Sequence, residues 1–272
     1  MARNMKKSSE HIIKRISPVH SVTIDYFAFC GTYPFGMPGH FSLARLAKEL
    51  SIMNVSMAYV SDIGSFFKKN VVSANKIFLE KCRKFNCKCI RPVPVIDLSM
   101  PDFESEICHY IENYNLKAIR IAPNYHGYRL KAKCKRLADI LNAYKIMLLI
   151  AKEIEDSRFQ ASCLGVKPLL INDLVPLFEA GFNSKVILNN FQFVEFKDYI
   201  SDIPDNFYFD STAFEKGFGE LETFVEKHGV NRLVYGSHIP FLYAGAIMHN
   251  LHMSLLRVSK VSKIFKGIAG NA

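Results

Sequence analysis

Five side chains that could act together on a ligand lie between residues 120 and 238: Arg120, His126, Lys152, Arg158 and His238. Each one lies near the end of a predicted strand or in the loop after it. Arginine and lysine carry positive charge, and arginine offers paired N–H donors to a carboxylate or phosphate. Histidine can act as a base because its unperturbed pKa is near 6.5. We therefore predict a site for a small anionic ligand, with His238, Lys152 and His126 as its catalytic residues.

Four further assignments complete this predicted site. We expect Arg120, Arg158, Asn190 and Tyr128 to contact the ligand. Each position has a purely structural alternative. Arg120 could pair with a neighbouring barrel carboxylate, and the loop around Arg158 could form a salt-bridge network of little energetic consequence. His126 and Tyr128 could brace a long loop.

The same loop network would include Glu153 and Asp156. For His238 the alternative is a hydrogen-bonded histidine at a strand end, which carries no chemistry. The sequence leaves the functional and the structural interpretation open at these positions.

The elements that must position these residues alternate between short apolar runs and longer amphipathic segments, which is the pattern of parallel strands and their helices. The predicted strands are Val22–Phe29, Val55–Val60, Cys89–Val95, Lys117–Ile121, Ile146–Ala151, Lys185–Leu188, Phe207–Asp210 and Arg232–Tyr235. The predicted helices are Ser42–Met53, Ser73–Phe85, Phe103–Tyr114, Lys131–Tyr144, Ile171–Glu179, Phe193–Tyr199, Gly219–His228 and Tyr243–Val258.

Eight strand–helix pairs predict an α/β protein with a (βα)₈ TIM barrel in a single domain. We place this domain over residues 21–272, after an N-terminal extension of residues 1–20. A doubly wound open sheet would normally carry a GxGxxG turn after its first strand, and Gly31, Gly36 and Gly39 do not have that spacing. In a barrel of this kind, chemistry takes place at the carboxyl ends of the strands.

The composition limits the possible partners and the cellular location of the protein. The 272 residues are 49% hydrophobic and 22% charged, with a formal net charge of +10. The lysines are dispersed and no nucleic-acid motif occurs, so we expect no nucleic-acid partner. No apolar run is long enough to cross a membrane. Seven scattered cysteines indicate reduced thiols, and we predict a cytoplasmic protein; homo-oligomer formation stays open.

Several segments resemble conserved strand ends of the amidohydrolase superfamily. Residues Ile24–Gly31 read IDYFAFCG and resemble the family's opening IDxHxHxG. Ile119–Pro123 and Val186–Asn190 are similar to its fourth and sixth strands. Leu233–Phe241 is similar to the eighth-strand GSDxPF segment, and Ile268–Ala272 to the closing GNA. The resemblance runs from about residue 23 to the end and is strongest to the decarboxylase-like group, whose members include metal-dependent hydrolases of TIM-barrel fold.

The resemblance implies a divalent metal, usually zinc, yet the positions that would bind it have changed. The two histidines of HxH correspond to Phe27 and Phe29, and the fifth-strand histidine to Lys152. The sixth-strand histidine corresponds to Asn190, and the eighth-strand aspartate to His238. A zinc site needs three or four converging N, O or S ligands. We therefore predict no metal cofactor, and expect both phenyl rings to point into the barrel mouth because alternate strand residues share a face.

Two functions follow from this resemblance and its departures. The first is a divergent hydrolase or decarboxylase whose rebuilt active site binds a small anionic substrate. The second is a non-catalytic member of the superfamily that binds a ligand or a partner protein. The surviving histidines favour the first, and the loss of the HxH pair favours the second.

Overall fold

The computed structural model describes residues 22–131, 133–156, 158–243 and 245–268. Its strands are β1 (Ile24–Thr32), β2 (His40–Phe41), β3 (Met57–Asp62), β4 (Ile90–Pro92), β5 (Val95–Ile96), β6 (Ala118–Ile121), β7 (Met147–Ala151), β8 (Val186–Asn189), β9 (Phe207–Asp210) and β10 (Leu233–Val234). Its α-helices are α1 (Leu43–Ile52), α2 (Val71–Phe85), α3 (Phe103–Tyr114), α4 (Lys133–Tyr144), α5 (Val175–Phe178), α6 (Phe193–Phe196), α7 (Glu220–His228), α8 (Ala246–Met253) and α9 (Val258–Lys266). The predicted extension over residues 1–20 and the closing residues 269–272 lie outside the described residues.

The strands form two sheets that together close one barrel. The first has the order β2-β1-β3-β4 and the second β10-β9-β8-β7-β6-β5. Every pairing is parallel except that of β2 with β1. The ends meet where Ala28 bridges to Ile239 and where the Tyr26 N–H donates to the Tyr235 carbonyl at 2.9 Å. With β4 and β5 taken as one bent strand, the predicted (βα)₈ fold is confirmed.

The third barrel strand is interrupted by two prolines. The sequence predicts one strand over Cys89–Val95, but the structure divides it into β4 and β5 around Pro92 and Pro94. Proline has no N–H to give to a ladder, so regular pairing cannot continue through both positions. The backbone still joins its neighbours: the Val93 N–H donates to the Val60 carbonyl at 2.7 Å, and the Pro94 carbonyl accepts a hydrogen bond from β6.

Capping residues mark the ends of several helices. The Ser42 hydroxyl accepts a hydrogen bond from the Arg45 N–H at 3.2 Å at the start of α1. Leu46 and Leu50, four residues apart, lie on one face of α1 and are fully buried against the barrel. Helix α2 ends at Asn86, whose φ of 47° is a left-handed conformation that asparagine tolerates. These local signals explain why the predicted helices fall close to the observed ones.

The last predicted helix, Tyr243–Val258, is wrong in extent. The structure contains two helices here, α8 and α9, separated by an extended backbone at Ser254. The Ser254 hydroxyl donates to the Leu251 carbonyl at 2.7 Å, and the Glu222 carboxylate accepts from the Leu255 N–H at 2.8 Å. Side chains therefore satisfy backbone groups that would otherwise continue the helix.

Apolar side chains fill the barrel interior in two regions. The lower region is formed by Ile24, Tyr26, Tyr59, Val93, Ala118, Met147, Leu149, Ile187 and Val234. The region at the mouth is formed by Phe27, Phe29, Tyr33, Ile63, Phe66, Val95, Ala122, Ala151 and Ile154. None of the helices in the described residues has both the length and the apolar character that a membrane span needs.

Candidate functional site at the barrel mouth

Two phenyl rings fill the mouth of the barrel. Phe27 and Phe29 are fully buried, and their ring centroids lie 5.0 Å apart in an edge-to-face arrangement. They pack with Ala122, which directly follows β6, and with Ala151, the last residue of β7. Their predicted orientation into the barrel is therefore confirmed. The intervening residue, Ala28, faces the outer core between barrel and helices.

A buried guanidinium lies against these rings. Arg120, on β6, has no solvent exposure, and its Cζ is 4.7 Å from the Phe29 ring centroid and 5.5 Å from that of Phe27. One Nη donates to the Tyr26 carbonyl at 3.2 Å, whereas Nε and the other Nη have no hydrogen-bond partner among the described residues. Aromatic faces stabilise a cation by about 2 kcal/mol when the pair is desolvated. Burial lowers the pKa of Arg120 to about 9, so the guanidinium stays protonated at neutral pH.

Two carboxylates balance this charge from within the barrel. Asp25 and Asp210 are fully buried, and both counteract the effect of burial on the pKa of Arg120. Asp25 accepts hydrogen bonds from the N–H groups of Phe27 and Ser237, each at 3.0 Å. The structural alternative for Arg120, pairing with a barrel carboxylate, holds only at longer range. No direct ion pair joins these groups among the described residues, so their interaction is coulombic.

Asp210 is the more strongly held of the two carboxylates. It accepts hydrogen bonds from Asn189 Nδ2 at 2.7 Å and from both the N–H and the hydroxyl of Thr212. Burial nevertheless raises the pKa of Asp210 to about 6, with these hydrogen bonds acting in the opposite direction. The backbone after β10 passes close to Asp210 because Gly236 has no side chain. A Cβ at this position would lie 2.9 Å from Asp210 Oδ2.

His238 is held as a neutral, hydrogen-bonded ring. Its imidazole stacks on Phe27 with 4.4 Å between ring centroids, and its Nε2 lies 2.9 Å from the Ile154 carbonyl. This contact makes Nε2 the protonated nitrogen, since a carbonyl oxygen can only accept. Burial lowers the pKa of His238 to about 4, and the Arg120 charge contributes in the same direction. The ring is therefore neutral at physiological pH.

The remaining cations of the predicted site are engaged elsewhere. Lys152 is buried and donates to both carboxylate oxygens of Glu195, at 2.6 and 2.9 Å. Arg158 is exposed and pairs with Asp156 through Nε at 3.0 Å and Nη2 at 2.7 Å. The Asp156 side chain also lies 3.3 Å from the Lys216 amine. Arg158 thus belongs to the loop salt-bridge network that the sequence offered as an alternative.

His126 and Tyr128 lie in and after the loop that follows β6, and neither lines the cavity at the barrel mouth. The His126 Nε2 is 3.3 Å from the Ser65 carbonyl, and Tyr128 lies beside His126 with ring centroids 6.4 Å apart. Tyr128 lines a separate groove with Arg129. Both side chains therefore brace the loop after β6. The prediction that the five basic residues converge on one ligand is therefore wrong. Most of these side chains are bound instead by carboxylate or carbonyl groups of other segments.

A cavity of about 690 Å³ opens above the filled barrel. His238 and Asn190 belong to its lining, and Asn190 is fixed by hydrogen bonds to the Glu153 carbonyl and to Gln192. Four acidic residues also line this mouth cavity: Glu153, Glu155, Asp156 and Glu215. Aromatic residues form much of the rest: Phe35, Phe159, Phe241 and Tyr243.

These residues do not fit the divalent metal that the sequence resemblance implies. Phe27 and Phe29 have no lone pair to donate, and the Lys152 amine is bound to Glu195. His238 uses Nε2 in a hydrogen bond, so at most one nitrogen ligand, its Nδ1, remains among these four residues. The Arg120 guanidinium would also repel a dication at this position. Across the part of the chain that the structure describes, no group of three or more His, Cys, Asp or Glu side chains is arranged to hold a metal ion.

Comparisons with known proteins identify the fold. No known protein-family profile and no curated protein matches the sequence. Among solved structures, the 2,6-dihydroxybenzoate decarboxylase from Rhizobium superimposes with a TM-score of 0.68 at 10% identity, over 90% of this chain and 96% of that one. The 5-carboxyvanillate decarboxylase from Sphingomonas paucimobilis gives a TM-score of 0.65 at 12% identity, over 91% and 99%.

A third structure, the dihydroxybenzoic acid decarboxylase from Polaromonas, gives a TM-score of 0.64 at 10% identity, over 90% and 94% of the two chains. The chain has the amidohydrolase-type barrel fold. The Polaromonas enzyme was solved with manganese and the inhibitor 2-nitroresorcinol bound. In this chain, two phenyl rings and the Arg120 guanidinium are buried at the barrel mouth.

Sequence reasoning missed two residues that shape the site, Glu195 and Asp210, and placed a third, Glu153, only in the loop salt-bridge network. Glu195 neutralises Lys152, and its signal was the Gln192-to-Glu195 spacing of a helix capping box. Asp210 was visible only as the last residue of a predicted strand. Glu153 lines the mouth cavity, and the run of acidic residues after Lys152 could have indicated this.

Proposed function

We propose that this chain is a non-catalytic ligand-binding protein built on an amidohydrolase-type barrel. The observation that carries the proposal is the burial of the Arg120 guanidinium against Phe27 and Phe29, where the resemblance would place a metal site. A protonated guanidinium supplies a fixed positive charge but offers no open coordination position to a water molecule. The cavity above it remains open to a small molecule.

The alternative, a divergent hydrolase or decarboxylase with an anionic substrate, has weaker support. It requires His238 to take a proton, yet burial lowers the pKa of His238 to about 4, which makes the ring a poor base. It also requires cations for the substrate, yet Lys152 is bound to Glu195 and Arg158 is bound to a neighbouring aspartate. The solved decarboxylases are named for aromatic acids as substrates.

Metal content after purification tests this proposal. The full chain is produced in medium supplemented with zinc and manganese, purified without chelator, and measured by elemental analysis beside a His238→Ala variant. We expect both proteins to be substoichiometric in every transition metal and to keep their melting temperature in EDTA. One equivalent of metal in the parent, lost in the variant, would refute the proposal.

A further inference from the structure

The carboxylate of Glu153 lacks a partner at the floor of the mouth cavity. The residue is only 6% exposed, and its side chain has neither a hydrogen bond nor an ion pair within the described ranges. Its neighbour Lys152 is already bound to Glu195. Burial raises the pKa of Glu153, with Lys152 and Lys216 acting in the opposite direction. A buried charge without a partner is costly, so a group that neutralises it would be stabilised.

The charge balance of the mouth cavity is opposite to that of the whole chain. The chain carries a formal net charge of +10, yet the cavity is lined by four carboxylates and two cations. Both cations, Arg158 and Lys216, contact the same carboxylate, that of Asp156. Glu155 accepts a hydrogen bond from the Tyr33 hydroxyl, which leaves its negative charge in place. The cavity therefore attracts positive charge within a protein whose surface is otherwise basic.

Aromatic rings line the upper part of the same cavity. Phe159 and Tyr243 remain 75% and 64% exposed, and Phe35 and Phe241 lie beside them. Exposed aromatic rings next to carboxylates can bind an organic cation in two ways, since the rings attract its charge and also cover its apolar part. A metal ion would not use these rings, and the carboxylates do not form a metal-binding group.

We propose that the mouth cavity binds an organic cation, an ammonium or guanidinium group carried on an apolar body. Its charged group lies against the Glu153 carboxylate, and its apolar body packs against Phe159, Phe241 and Tyr243. This inference rests on the proposed ligand-binding function and names the class of ligand.

Three probes of similar size and different charge test this inference: 2-phenylethylammonium, 2-phenylethanol and phenylacetate. Binding to the full chain is measured by saturation-transfer NMR and calorimetry at pH 7.5. We expect the cation to bind about tenfold more tightly than the alcohol, a modest figure for one partly screened charge contact. Phenylacetate should bind more weakly than either.

Three variants locate the effect. Glu153→Gln keeps the shape of the side chain and should weaken binding of the cation about tenfold. Lys216→Gln removes a competing cation and should strengthen it about threefold. Glu226→Gln changes an exposed glutamate on α7 outside the cavity lining, and should leave binding unchanged.

Equal or tighter binding of phenylacetate would overturn the inference while leaving the proposed ligand-binding function intact. Absence of binding by all three probes, or equal binding of the cation by the parent and Glu153→Gln, would also overturn it. If Glu153→Gln fails to fold, the Lys216→Gln comparison decides the question. A stoichiometric metal would instead refute the proposed function.

Discussion

The neutral state of His238 should make the stability of the protein depend on pH. The imidazole is buried between Phe27 and the Ile154 carbonyl, and burial lowers its pKa to about 4 from an ordinary value of 6.5. Below pH 6.5 the unfolded chain gains a proton at this ring, whereas the folded chain gains it only near pH 4. The free energy of unfolding therefore falls as the pH falls through this window.

The size of the effect follows from the same two pKa values. Between pH 7 and pH 5, His238 should remove about 2 kcal/mol from the free energy of unfolding. Other groups titrate in the same range; the raised pKa of Asp210 acts in the opposite direction. A comparison with a variant that cannot titrate at position 238 cancels these contributions.

His238→Asn provides that variant, because asparagine tolerates the left-handed backbone of this position, where φ is 56°. Urea unfolding followed by circular dichroism is measured for both proteins at pH 7 and pH 5. The variant loses packing at both values, but the stability advantage of the parent should shrink by about 2 kcal/mol at pH 5. The control, His249→Asn, changes an exposed histidine, and its difference from the parent should change by less than about 0.5 kcal/mol. If the difference in free energy of unfolding between the parent and His238→Asn is the same at pH 7 and pH 5, the folded protein does not hold this ring neutral.

Three further substitutions test the interior of the barrel. Arg120→Met leaves the buried carboxylates of Asp25 and Asp210 without their nearby cation and should lower the free energy of unfolding by about 3–5 kcal/mol in urea titrations, whereas unchanged stability would contradict a buried, charged guanidinium. Gly236→Ala brings a methyl group within 2.9 Å of the Asp210 carboxylate and should cost about 1–3 kcal/mol by the same assay; a neutral result would contradict that close approach. A double-mutant cycle of Lys152→Met and Glu195→Gln should give a coupling energy of about 1–3 kcal/mol, and additive effects would show that the pair does not interact.

The fold could be predicted from the sequence because its signals are local. Alternation predicted that Phe27 and Phe29 share the barrel face, and capping residues marked several helix ends. The register irregularity between Asp25 and Ala28, which leaves Tyr26 and Phe27 both in the interior, could not be predicted.

The split of the third strand also has a local cause, Pro92 and Pro94, but the break in the last predicted helix depends on a distant segment. At the helix break near Ser254, the Leu255 N–H donates a hydrogen bond to the Glu222 carboxylate. These two residues are 33 positions apart in the sequence.

The site was harder to predict because charges near a strand end do not reveal their partners. Lys152 looked available in the sequence, but Glu195, 43 residues later, binds it. The acidic character of the mouth cavity arises where the loop after β7 meets Glu215, and only the folded chain shows that meeting. The basic composition of the whole chain suggested an anionic ligand. The charge inside the mouth cavity, however, depends only on the residues that line it.

The most direct test of the central claim is a crystal structure of the full chain grown with excess zinc, with data collected on both sides of the zinc absorption edge. We expect electron density for the Arg120 guanidinium against the rings of Phe27 and Phe29, and no anomalous peak within the barrel mouth. An anomalous peak bound by His238, with Arg120 displaced from the rings, would contradict it.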